Sequence, residues 1–216
     1  MEEGDDLDSL LAAAPLAMQR PQWRGFGRYC EYRGKGVRAQ AFAELGKFLD
    51  EAIDWPFDER RAFALWVLNS ERSDVLNNAL MSQPLLARLI VPTVKEWNRR
   101  EPVVAETHLW LGLLRQDVPV VHLERAIEID PDCELARQVI CRWTCGDIDY
   151  NQHELPAFYI HDPRDDLKAL NRVFDLCKPF TTQPWAVYWW REATQLKQEA
   201  EAWLKDHPRP GDFADH

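Results

Sequence analysis

Glycine is scarce in this chain of 216 residues, numbering only 9, and no segment sustains the apolar–polar alternation of a strand. Both absences exclude a sheet-based fold turned on glycine loops. No apolar run approaches the ~20 residues that a bilayer-spanning helix needs. The opening Met-Glu-Glu-Gly-Asp-Asp is the opposite of a basic secretory leader. The five cysteines, Cys30, Cys133, Cys141, Cys145 and Cys177, are odd in number and make no small-scaffold disulfide pattern. A cytoplasmic protein with reduced thiols is expected. HExxH, GxSxG and a Walker-type glycine loop are all missing, so the expectation is a protein without enzymatic activity or cofactor.

Basic charge is also in deficit: 26 Lys and Arg face 36 Asp and Glu, for a formal net charge of −10. Such a chain is repelled by phosphate backbones and anionic membranes, and it attracts basic proteins. A basic protein partner is expected; a membrane or nucleic acid is not.

What is abundant is helix punctuation and aromatic residues. The chain has 14 Pro, most of them between apolar-periodic segments, with 10 Trp and 9 Phe. The periodicity predicts a short N-terminal helix within an acidic segment, residues 1–20, with Leu7, Leu10 and Leu11 on its stripe. Further helices are expected from Val37 to Ile53, from about Asp58 through Leu68, and over 73–82, 84–100, 103–115, 118–129 and 131–145. Two more are expected at Pro163–Lys178 and Pro184–Asp206. Pro92 should kink or split the helix that contains it. The whole reads as all-α, about eight to ten helices stacked as antiparallel hairpins. A single helical domain is expected over 21–206, with an irregular loop at about 147–162 and a disordered tail at 207–216.

The best-defined corner is Leu123-Glu-Arg-Ala-Ile-Glu-Ile-Asp-Pro-Asp-Cys-Glu-Leu-Ala-Arg137. Asp130 suits an N-cap and Pro131 a first helical turn. With Leu111-Gly112 before it, the stretch from His108 to Ala136 resembles a tetratricopeptide-like (TPR-like) repeat, Ala126 to Pro131 matching the spacing from the second-helix Ala to the closing Pro. His108 stands where that family favours Trp, and the first helix or its turn is about five residues short. The resemblance implies a stack of helix pairs and a protein-binding role.

Three patterns invite specific chemistry. Cys141 and Cys145, i and i+4, lack the second ligand pair that zinc requires and read as small buried apolar residues. Asp147-Ile-Asp-Tyr-Asn-Gln-His begins like a calcium loop, but Gln152 occupies its glycine position and Phe158 its closing Glu. The basic segment 20–38 interleaves Trp23, Phe26, Tyr29 and Tyr32 with Arg and Lys, a composition that an RNA-binding adaptor would share. Its four glycines argue against a continuous helix; its aromatics are expected in the core and its arginines against the acidic N-terminus.

The candidate recognition surface gathers acids and aromatics without catalytic context: Asp147, Asp149, Tyr150, His153, Glu154, Phe158, Tyr159, His161, Asp165 and Asp166. Such a mixture suits an interface that receives Lys or Arg. The sharper form of this expectation is a bacterial immunity protein, a toxin inhibitor. The alternative is a small metal-dependent hydrolase that uses the same carboxylates and histidines. The last helix carries Trp185, Trp189, Trp190 and Trp203 as core; because Trp189 and Trp190 point about 100° apart, one of these neighbours should be exposed.

Overall fold

A computed structural model of the chain describes residues 3–70 and 79–207, with side chains from residue 7. Among the described residues there are helices and connecting turns but no strand, so the fold is all-α. Two compact units divide the chain, Met1–His122 and Leu123–His216.

In the first unit α1 (Glu3–Met18), α2 (Arg24–Gly34) and α3 (Arg38–Ala52) follow one another through short connections, and α2 packs on both neighbours. The basic segment is thus mostly helix, and its glycines are the reason α1 comes so close. A Cβ on Gly27 would lie 2.6 Å from Met18 Cγ and 3.0 Å from the Ala14 carbonyl oxygen. Gly36 is different: its φ of 76° turns the chain from α2 into α3.

Trp23, Phe26 and Tyr29 are buried as expected. Phe26 meets Phe63 edge-on at 5.1 Å, and Phe48 lies 5.0 Å from Phe63. Trp23 also donates its indole N–H to Glu59 on α4 (Phe57–Ser70), at 3.0 Å. The N-terminal acids expected to meet the cations, Glu2, Glu3, Asp5 and Asp6, have side chains that lie outside the described residues. Arg28 pairs with Glu44 at 2.5 Å, Lys35 with Glu31, and Arg20 lies over the Trp23 ring. Residues 71–78, most of the helix expected at 73–82, lie outside the described residues, and 79–82 form a turn.

The helix expected at 84–100 is real but interrupted. A short α5 (Gln83–Leu85) passes through a π-helical turn (Leu86–Ile90) into α6 (Val91–Arg100). Pro92 explains the interruption, since its ring would strike the carbonyl four residues back and it has no N–H to donate. After α6 comes α7 (Ala105–Leu113), packed against it. His108 is buried there: one ring nitrogen faces the Pro102 carbonyl at 3.1 Å and the other faces His122 Nδ1 at 3.1 Å.

The unit boundary falls within α8 (Pro119–Ile129). The second unit is built on α9 (Glu134–Gln152), α10 (Pro163–Cys177) and α11 (Pro184–Asp206), which pack pairwise. On α11 the buried Ala186, Ala193 and Ala200 recur every seven residues, with Leu196 and Trp203 forming a second row. Small residues at that spacing let neighbouring helices approach along the whole of α11. The expectation of an indole core holds only for Trp203. Trp185 and Trp189 are half-buried and Trp190 is 42% exposed, because the alanine stripe, not the tryptophans, faces the neighbours.

The Asp130–Pro131 corner differs in detail from the expectation. Asp130 accepts from the Asp132 N–H at 3.0 Å, an Asx turn, and α9 begins only at Glu134. Pro131 is therefore a turn residue, not the first residue of the helix. α8 and α9 on either side of it are also not among the closely packed helix pairs.

Arg137 clamps the corner. Its guanidinium donates to the Pro131 carbonyl at 2.9 and 3.2 Å and to the Leu176 carbonyl at 3.2 Å, and it lies over the Phe180 ring. At 8% exposure this cation ties the start of α9 to the end of α10.

Candidate partner-binding surface

The helix α9 runs six residues into the expected loop, so the irregular segment is His153–Asp162 rather than 147–162. Nothing at 147–152 breaks a helix, and the side chains of Cys145, Ile148 and Gln152 continue its buried stripe. Asp147, Asp149 and Tyr150 are thus helix residues. All three are exposed, with Tyr150 63% open. Asp147 and Tyr150, three apart, share the outward face, whereas Asp149 stands on one flank.

The last turn of α9 continues this surface. His153 stacks on Tyr150 with ring centroids 4.9 Å apart and planes 22° from parallel. One of its ring nitrogens faces the Tyr150 carbonyl at 2.5 Å, and the other faces Glu154 at 3.0 Å. The pairing with Glu154 is an ion pair only when the imidazole is protonated. Asp147 and Asp149 have no ion-pair partner among the described residues. Asp165, also exposed, is held by Lys168 at 2.7 Å, and this hydrogen bond sets its carboxyl below the usual range. His161 is exposed at a positive φ of 63°, and Phe158 is half-buried.

Two of the ten candidate residues face inward instead. Tyr159 is 0% exposed and packs with Ala200 and Trp203 of α11. Its hydroxyl donates to Asp166 at 2.8 Å and accepts from Gln152 at 2.9 Å; the Gln152 amide also donates to the Leu196 carbonyl at 2.8 Å. The Asn151 amide reaches both oxygens of Asp166 at 3.1 Å. Burial pushes the Asp166 carboxyl above the ordinary aspartate range, against the pull of these hydrogen bonds. The Ile160 N–H closes the segment onto the Asn151 carbonyl at 3.0 Å. Tyr159 and Asp166 therefore brace this segment from inside. Asp162 caps α10, as expected, by accepting from the Arg164 N–H at 2.9 Å.

Among the described residues, no three His, Cys, Asp or Glu side chains come together as a metal-ligand set, and no helix is long and apolar enough to cross a membrane. All five thiols are free. Reasoning from sequence missed the Arg137 clamp, the Glu134 carboxylate that accepts from Trp185 at 2.8 Å, and a thiol pair, Cys141 and Cys177, with sulfurs 3.9 Å apart. The only hint of Arg137 was a lone cation on a face otherwise apolar. No protein-family model matches this sequence, and neither a curated protein nor a solved structure matches it significantly.

Proposed function

We propose that this chain is a protein-binding module whose recognition surface is the outward end of α9 with the segment His153–His161, and whose partner is basic. The observation that carries the reading is the set Asp147, Asp149 and Glu154 around the exposed Tyr150–His153 stack, where neither aspartate has an ion-pair partner among the described residues. Uncompensated carboxylates attract Lys and Arg and speed encounter, and an exposed aromatic supplies an anchor on which a guanidinium stacks. The surface rests on a helix braced by the buried Tyr159–Asp166 contact, so little ordering cost opposes binding. The TPR-like resemblance at His108–Ala136 points to the same class. Within that class, an immunity protein that occludes a basic toxin is the sharper assignment, supported by the acidity of the chain and of this face.

The test is affinity capture from the native cells with the wild-type chain and with a variant carrying Asp147→Lys, Asp149→Lys and Glu154→Lys. All three positions are exposed, so helical content by circular dichroism should be unchanged. A basic protein retained by the wild type should bind the variant at least about tenfold more weakly, about 1.4 kcal/mol. Equal retention by both would overturn the assignment of this surface.

A further inference from the structure

On the second unit, away from the acidic surface, Cys177 at the end of α10, itself only 1% exposed, lies against the wall of a cleft of about 860 Å3, lined otherwise by residues of the α10–α11 connection and of α11 that include Thr181, Trp190, Arg191 and Gln195. Behind it, across the packing of α9 on α10, lies Cys141, Sγ to Sγ 3.9 Å. That is direct contact between two thiols on separate helices. The Arg137 guanidinium, one turn before Cys141, is fixed on the carbonyl of Leu176, the residue next to Cys177. The five cysteines are therefore not equivalent. Cys30, Cys133 and Cys145 are pushed up by burial, Cys30 and Cys145 to about 12. Cys177 alone is set below the ordinary thiol range, first by the hydrogen bond from the Cys141 thiol and then by Arg137.

We propose that Cys177 and Cys141 form a redox-active pair in which a hydroperoxide entering the cleft oxidises Cys177 and Cys141 resolves it as a disulfide. The Cys177 thiolate attacks the terminal peroxide oxygen; an S–O bond forms, the O–O bond breaks, and the alcohol or water leaves with the proton that the thiol gave up. The Cys141 thiol then attacks Sγ of the Cys177 sulfenic acid. An S–S bond forms, the S–O bond breaks, and the hydroxyl leaves as water with the thiol proton. Two thiols are oxidised by two electrons and one peroxide is reduced. Arg137 keeps a positive charge beside the attacking sulfur, and Cys141 donates its S–H to that sulfur until it is needed.

The test uses the full-length reduced chain. Competitive alkylation with iodoacetamide at neutral pH should modify Cys177 about tenfold or more faster than Cys30, Cys133 or Cys145. Stoichiometric hydrogen peroxide, followed by a maleimide quench and non-reducing tryptic mass spectrometry, should yield one peptide pair joined at Cys141 and Cys177, lighter by two hydrogens. Cleavage at Arg142 separates Cys141 from Cys145, so the two linkages are distinguishable. With Cys141→Ser, a dimedone-trapped sulfenic acid at Cys177 should replace the disulfide. The proposal is overturned if Cys177 alkylates no faster than the other three, if the disulfide joins different cysteines, or if peroxide leaves all five thiols free. The alkylation arm needs no variant and so does not depend on the folding of one.

Discussion

Gly27→Ala and Gly46→Ala add the same methyl group to helices α2 and α3, and the two changes should move stability in opposite directions. At Gly27 the new Cβ meets Met18 Cγ at 2.6 Å, the Ala14 carbonyl oxygen at 3.0 Å and the Met18 nitrogen at 3.2 Å. The first of these can swing aside, but the other two are backbone of α1, so relief requires α1 to move off α2. Overpacking of this kind costs about 1–3 kcal/mol, and the better helix propensity of alanine returns about 1 kcal/mol at most. The net expectation is a loss of up to about 2 kcal/mol once the full propensity gain is offset. Gly46 has nothing within 4 Å of the added methyl, so only propensity acts there, and a gain of about 0.5–1 kcal/mol follows. Urea unfolding followed by tryptophan fluorescence, with differential scanning calorimetry alongside, reads both. If Gly27→Ala proved as stabilising as Gly46→Ala, the close approach of α1 and α2 would be wrong.

Arg137→Met should lower the unfolding free energy of the second unit by about 2–3 kcal/mol, because it strips charged donors from the Pro131 carbonyl and the buried Leu176 carbonyl; a denaturation midpoint unchanged from wild type would refute the clamp. Tyr159→Phe keeps the ring against Trp203 but removes the hydroxyl between Gln152 and Asp166, at a cost of about 1–3 kcal/mol. Amide exchange should then quicken over residues 153–162, and an unaltered exchange pattern would remove Tyr159 as the brace. His122 lies below the usual histidine range, first through burial and then through His108. A lowered folded value means that protonation favours the unfolded chain, so stability is fully present above pH ~6.5 and declines as pH falls through the folded value. The melting temperature of wild type should drop on that acid side more than that of His122→Gln; parallel curves would contradict it.

Helix content was legible because the signals are local. Pro163 and Pro184 open helices that end within a residue of the expected positions, and the capping role of Asp162 was readable from its place before Pro163. The candidate surface was half-legible. Acids and aromatics marked the stretch, but the absence of apolar periodicity after Gly146 hid the end of α9, whose buried stripe there is only Ile148 and Gln152. The alternation of inward and outward residues was likewise hidden: Tyr159 and Asp166 look like their neighbours until Ala200 and Asn151 are placed beside them. Arg137 and the Cys141–Cys177 contact depend on pairings across about forty residues, which no spacing rule encodes. Glycines in 20–38 were misread because propensity opposes helix there, and tertiary packing against α1 overrode it.

The most direct test of the central claim is zero-length carbodiimide cross-linking of the captured partner to the wild-type chain, followed by mass spectrometry. The reagent joins a carboxylate to a lysine in contact with it. Partner lysines should be found on Asp147, Asp149 and Glu154, with Tyr150 and His153 protected from solvent in the complex. Cross-links confined to carboxylates elsewhere on the chain, with those three unmodified, would contradict the account.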